Sequence, residues 1–170
     1  MTRPNKIEVM KMNKRKKLHL ISIFCIVLAV ILCYILTNFP IFNPKIIYGN
    51  DSLIVREIDN YHMANGITGA FDENGIINFS IKSFSGSRTI RILDIYEGEN
   101  LSCTWDISVN RGQFKLVLID IRNGKIVKTI CEGSGIGSIN DYELSSAEYR
   151  IKAVGDNADV EGKFEIELTK

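Results

Sequence analysis

Two patterns of apolar positions divide the chain. From Leu18 to Phe39, reading LHLISIFCIVLAVILCYILTNF, apolar residues follow one another without a polar stripe, and between Leu20 and Leu36 the plainly polar groups are Ser22 and the hydroxyl of Tyr34. No Asp, Glu, Lys or Arg stands between Lys17 and Lys45. About 20 such residues in a helix cross a hydrocarbon core of roughly 30 Å, so residues 18–39 are predicted to be a transmembrane helix. From Gly66 onward the pattern is short and alternating. GITGAF, IINFSIKSF, RTIRILDIY, LSCTWDISV, QFKLVLIDI and KIVKTIC are separated by DENG, SGS, EGEN, NRG and RNG, and SGIGSIND, EYRIKAV and GKFEIEL repeat the idea.

In LSCTWDISV, Leu101, Cys103, Trp105, Ile107 and Val109 share one face of an extended strand, and Ser102, Thr104, Asp106 and Ser108 share the other. In GKFEIEL, Phe164, Ile166 and Leu168 oppose Lys163, Glu165 and Glu167. One dry face and one wet face is the pattern of antiparallel sheets. About eight such strands at roughly ten-residue spacing predict an all-β antiparallel two-sheet β-sandwich over residues 66–170, after a single N-terminal transmembrane helix. Asn123-Gly124, between QFKLVLIDI and KIVKTIC, predicts a tight hairpin. Between helix and strands, residues 40–65 form a connector: Pro40 and Pro44 stop the helix. Residues 51–65 fit a helix through Ile54, Ile58 and Tyr61, or a strand through LIVRE, and receive no firm element.

Charge gives the first helix an orientation. Arg3, Lys6, Lys11, Lys14, Arg15, Lys16 and Lys17 face the single acid Glu8 within residues 1–17. Basic residues flanking a span stay cytoplasmic, so residues 1–17 are expected to be a cytoplasmic tail and the β-rich part to lie outside the cytoplasm. The apolar run exceeds the core of about 7–15 residues in a cleaved signal peptide, and Tyr34–Phe39 offers no small-x-small site. Phe24 precedes Cys25 and Leu32 precedes Cys33, so neither cysteine follows the small residue that lipid attachment needs. An uncleaved signal anchor is therefore expected. Residues 41–170 hold fourteen Lys and Arg against nineteen Asp and Glu, a net charge of −5 hidden in the whole-chain value of +1.

Chemistry is sparse. His62 is the one histidine beyond the helix, and no GxSxG elbow accompanies it; it reads as a surface or loop residue. Asn157, Asp159 and Glu161 in GDNADVEG loosely echo a calcium loop, but the closing acid is replaced by Leu168, so this loop reads first as a solvated hairpin turn. Cys103 and Cys131 could form one disulfide or serve as two small buried apolar residues. The β-rich part is net acidic and has no glycine-rich phosphate loop, and the KRKK row at residues 14–17 reads as a topology signal and anionic-lipid contact before a nucleic-acid arm. Asp94, Asp106 and Asp120 are the carboxylates an acid-base enzyme would draw on, were two of them to converge in a pocket.

FSGSRTI (Phe84 to Ile90), GENL (Gly98 to Leu101), RGQFKLVLID (Arg111 to Asp120), NGKIVKTI (Asn123 to Ile130) and YRIKAVGDNADVEGKFEIEL (Tyr149 to Leu168) together resemble a pattern in small secreted, lipidated or membrane-anchored bacterial proteins, mostly uncharacterised. Their expected fold is a β-sandwich distantly similar to the pre-peptidase C-terminal domain. The resemblance implies fold and compartment and brings no catalytic residue with it. No catalytic, cofactor-binding or metal residue is assigned, no cofactor is expected, and the chain is not expected to be an enzyme. The expectation is a single-pass cell-membrane protein. It would meet lipid through residues 18–39, and its extracytoplasmic unit would bind an envelope protein or polysaccharide and no nucleic acid. A structural subunit of an envelope assembly, or a carboxylate-dependent enzyme, are the alternatives.

Overall fold

The computed structural model describes residues 6–38, 43–68 and 75–170, without the side chains of residues 6–18, 20, 38 and 66–68. Phe39–Phe42 of the expected helix end and connector, and Asp72–Asn74 of the expected DENG turn, lie outside the described residues. The chain divides into two compact units, Met1–Phe42 and Asn43–Lys170.

The first unit contains one helix, α1 (Lys6–Asn38). It runs unbroken from the basic row into the apolar row, so the expected tail is helical from Lys6 onward. Among the described residues no helix is long and apolar enough to cross a membrane. Beyond His19, the described side chains of α1 are those of residues 21–37, a run shorter than the about 20 residues a span needs. The transmembrane helix expected over residues 18–39 is therefore not found among them.

The second unit is mostly antiparallel β. Its strands are β1 (Asn60–His62), β2 (Asn65–Thr68), β3 (Ile76–Ile95), β4 (Asn100–Asp120), β5 (Lys125–Glu132), β6 (Gly135–Glu143) and β7 (Ala147–Thr169). All seven belong to one hydrogen-bonded network in the order β1-β3-β7-β4-β5, with β2 also on β3 and β6 also on β4. Because β1 and β2 pair successive parts of β3, and β5 and β6 successive parts of β4, the sheet is five ribbons wide.

Three expected turns are not turns. SGS lies inside β3, NRG inside β4 and GDNADVEG inside β7, and the chain continues in its own direction through each. The signals were the right residues for positive φ: Gly86 has φ 107, Gly112 φ 72 and Asn157 φ 51, with Ser83 at φ 54. Such a residue serves a bulged bend as readily as a reversal, and the register shifts at Ile81/Phe84 and Val109/Arg111 mark bulges. The bends lie side by side, since Gly86 and Phe114 are both partners of Gly155.

At this shared corner the sheet folds over. Phe114 is aligned through Gly155 with Gly86, so on a flat sheet Phe79 and Phe114 would stand roughly 20 Å apart along the strands. Their ring centroids are 5.8 Å apart. Both halves of each long strand accordingly supply one core: Ile77, Phe79, Leu93 and Ile95 from β3, Leu101, Ile107, Leu116 and Leu118 from β4, and Ile151, Ala153, Val160 and Phe164 from β7.

The halves of β4 and β7 beyond the corner are covered on their other face as well. A 3-10 turn (Pro44–Ile47) and α2 (Asp51–Ile54) place Ile47, Leu53 and Ile54 against Val117, Ile119 and Val154. This explains why VLID and AV in these strands are buried without alternation. The predicted hairpin forms, with Asp120 opposite Lys125. Its loop is the four residues between them, in which Gly124 has φ 57 and donates its amide to Ile121 O at 3.3 Å. Asn123 instead binds Asp120, its amide to Oδ1 at 3.0 Å and its Nδ2 to Oδ2 at 2.6 Å.

A Cβ at Gly112 would run into the carbonyl oxygens of Asp156 and Asn157, whereas one at Gly98, with φ 81, would meet open space. Gly98→Ala is expected to lose about 1–2 kcal/mol from its backbone conformation alone, and Gly112→Ala about 3 kcal/mol or more because overpacking adds to that cost. Urea denaturation of the full chain checks both; equal losses would mean that the corner is not tightly packed.

Candidate binding surface

The side chains of the corner are tied to one another. Arg111 Nη2 donates to Ser83 Oγ at 2.6 Å and pairs with Asp159 Oδ1 at 3.0 Å, and the same carboxylate oxygen accepts the Ser83 amide at 2.8 Å. The Ser83 amide, and then Arg111, hold the Asp159 carboxyl below its ordinary range against the opposing effect of burial. Asp159 is thus engaged in holding three ribbons together, and GDNADVEG is a strand bend instead of a hairpin turn. Among the described residues no group of three or more His, Cys, Asp or Glu is placed to hold a metal.

The three carboxylates singled out by sequence are dispersed. Asp94 is exposed opposite Glu148, and Asp120 lies beyond the corner opposite Tyr149. Asp106, in the other half of the sheet, faces Lys163 and Ile136 across the strands. Burial would raise the Asp120 carboxyl, but the two hydrogen bonds from Asn123 and the nearby Lys125 and Arg122 leave it lowered. His62 is exposed on β1 opposite Ser85.

A second polar cluster went unnoticed in the sequence. Lys152 is 0% exposed; its Nζ donates to Arg56 O at 2.6 Å and pairs with Asp59 Oδ1 at 3.2 Å. Asp59 in turn accepts the Thr89 amide at 2.9 Å and its hydroxyl at 2.8 Å. Arg150 Nη1 adds a bond to Glu57 O at 3.2 Å. Together these fasten residues 56–59 across β3 and β7. Burial lowers the Lys152 pKa, opposed by Asp59. Ser87 Oγ, buried and among the described residues without a hydrogen-bond partner, stands two residues before Thr89, the direct partner of Lys152. Ser87 and Lys152 are 1% and 0% exposed, so neither reaches solvent while this segment is docked. The available signal was the long unalternating run LVLIDI, which implied a cover over its second face.

Cys103 and Cys131 are both buried and both free thiols in one core cluster. Burial pushes Cys103 up to about 11 and Cys131 up to about 12.

A shallow depression lies on the half of the sheet away from this cover. Thr104, Trp105, Asp106, Ile136, Gly137, Ser138 and Lys163 line a depression of about 470 Å³. Lys163, Asp106 and Ile136 form one cross-strand row, and Thr104 pairs with Ser138 in the next. Direct cross-strand partners share a face, which makes these five residues one outer surface. Between the rows, the Trp105 indole lies against Gly137, where a Cβ would collide with the ring. Ile136 is 82% exposed on the edge strand β6. Lys163 pairs with Glu165 at 3.1 Å. The sequence had marked Trp105 as core, and the structure places it at the core's rim against an edge.

No family model matches this chain, and none of the curated proteins matches it. Among solved structures it is similar to a family two carbohydrate esterase from Cellvibrio japonicus, at 11% identity and a TM-score of 0.34, over 66% of this chain and 35% of that one. A likeness at that level implies neither fold nor activity.

Asp59→Ala strands the buried Lys152 without its countercharge and is expected to cost about 3 kcal/mol; adding Lys152→Met should restore most of that loss. Denaturation of the two single variants and the double variant measures the coupling, and additive losses would show that the pair does not interact. The thiols give a pH dependence. Unfolded cysteines lose their proton above about 8.5–9, whereas folded Cys103 and Cys131 keep theirs until about 11 and about 12. Their contribution is therefore fully present below pH 9 and is lost as pH rises through the folded values. Cys103→Ala with Cys131→Ala should flatten the fall in stability between pH 9 and pH 11; an unchanged slope would contradict the burial of free thiols.

Proposed function

We propose that this chain is a single-pass membrane protein, anchored by an uncleaved N-terminal helix, whose acidic β unit lies outside the cytoplasm and binds a protein or polysaccharide of the cell envelope. The observation that carries this reading is the surface of α1. Eleven large apolar or aromatic side chains between Ile21 and Leu36 are 44–67% exposed, on all sides of the helix. A helix that is apolar all round needs an apolar medium, and each such side chain gains about 1.5–3 kcal/mol on leaving water. Thr37 supports the reading, since its hydroxyl returns to Cys33 O at 2.9 Å and Tyr34 O at 3.1 Å within the helix. The basic row before the apolar run favours a cytoplasmic N-terminus. The net charge of −5 over residues 41–170 suits a unit kept away from the anionic inner leaflet.

We read the folded sheet as the two facing layers of a β-sandwich, which the Phe79–Phe114 ring contact supports. That reading also fits the resemblance to small anchored bacterial proteins with a pre-peptidase C-terminal-like sandwich. The depression around Trp105 and Ile136 is the surface through which such a module would act.

In cells freed of any outer layer, added protease is expected to digest residues 43–170, while an N-terminal tag becomes accessible only after lysis. The full-length chain should remain with membranes through alkaline carbonate washing. Release into the wash, or protection of the β unit in sealed cells, would contradict the anchor. Crosslinking of the full chain should then capture one dominant envelope partner. A fixed-stoichiometry assembly that falls apart when this chain is deleted would make it a structural subunit instead.

A further inference from the structure

The two halves of the outermost ribbon are built differently. β5 carries Lys125 and Lys128 at exposed positions, the means by which sheets discourage further strands from adding. β6, its continuation past Gly133-Ser134, begins GIGSIN, with no charge and no proline, and among the described residues pairs with β4 alone. Its far end is closed by a kink at Asp141, with φ 50, whose amide donates to Ser102 Oγ at 3.1 Å. The open stretch, residues 135–140, is the length of an ordinary strand. Its outward side chain Ile136 is 82% exposed. The sheet behind it is acidic: Asp106, Glu161, Glu165 and Glu167 occupy outer positions of β4 and β7, against the single cation Lys163, which Glu165 already engages. No hydrogen bond or ion pair occupies the Asp106 carboxylate among the described residues.

We propose that β6 is a docking edge for an extended, basic peptide segment of a protein partner, which adds as a further antiparallel or parallel strand beside residues 135–140. Backbone hydrogen bonds supply the attachment. An apolar side chain of the peptide lies beside Ile136, and neighbouring cationic side chains reach toward Asp106 over the depression. The acidic face selects a basic occupant over a second copy of this chain, which would bring its own acidic face, and over an anionic polymer. This inference rests on the binding-module reading and names the class of partner for its surface.

The test uses the full chain in a non-ionic detergent, with an eight-residue capped peptide of alternating Lys and Val as the probe. Trp105 is the chain's single tryptophan and lies against Gly137 of β6, so its emission reports occupancy of the edge. The peptide is expected to shift that emission saturably, and to bind at least about tenfold more tightly than either a Glu-Val or a Lys-Gly peptide of the same length. Ile136→Lys, a change at an exposed site that should leave the urea midpoint unchanged, is expected to weaken binding at least about tenfold. Equal binding of the Lys-Gly peptide, or Ile136→Lys without effect, would overturn the proposal. So would a dimer in sedimentation that Ile136→Lys dissolves, or an N-acetylglucosamine hexamer that shifts the emission where the Lys-Val peptide does not. If Ile136→Lys still crosslinks the envelope partner captured by the unaltered chain, the edge is wrong and the binding module stands; if the unaltered chain captures none, the module itself fails.

Discussion

The corner shared by β3, β4 and β7 is the constraint on which the β unit depends. Three strands bend at one line, and the bend is held by backbone contact as well as by side chains. Gly112 packs on the carbonyls of Asp156 and Asn157, Gly86 on Asn60 and Tyr61, and Gly155 on Phe84. Arg111 binds Ser83 and Asp159 across the seam. Without this fold a five-ribbon sheet would present its apolar face to water. With it, Phe79, Phe84 and Phe114 meet in one core, at centroid separations of 5.8 and 6.5 Å along the chain of rings. The acids and hydroxyls of the outer face are left in cross-strand rows as a consequence.

The fold also explains how one sheet supports two different outer faces. Beyond the corner, residues 43–59 cover the outside of β4 and β7 with Ile47, Leu53 and Ile54, and Lys152 sits beneath this cover against Asp59. A buried ammonium is costly unless paired and hydrogen-bonded, which is why the cover meets it with both a carboxylate and a carbonyl. On the near side of the corner no such segment lies over Thr104, Asp106 and Ile136 among the described residues, and a shallow depression remains there. The proposed binding role therefore falls to the uncovered half.

Much of this was legible in the sequence, and the rest was hidden for identifiable reasons. Alternation in LSCTWDISV and GKFEIEL correctly separates Cys103, Ile107 and Phe164 from Thr104, Asp106 and Lys163. Asn123-Gly124 correctly marks a hairpin, though the loop is longer than a two-residue turn and Asn123 serves Asp120. The bends at Gly86, Gly112 and Asn157 read as turns because local chain chemistry specifies positive φ and says nothing about the direction the chain takes afterwards. Short expected strands were for this reason halves of long ones. Lys152 and Asp59 are far apart in sequence and join only once the segment before β1 lies across β7. The depression at Trp105 likewise requires β4, β6 and β7 to be side by side, and Ile136 within GIGSIND gave the one local hint.

The continuity of the bent strands is open to direct measurement by nuclear Overhauser contacts in the full-length chain. The account predicts contacts between the Phe79 and Phe114 rings, and backbone contacts of Gly86 with Gly155 and of Arg111 with Asp159. Backbone contacts of Lys82 with Ile90, or of Ser108 with Phe114, would place hairpin reversals at SGS and NRG and contradict a sheet folded at one corner.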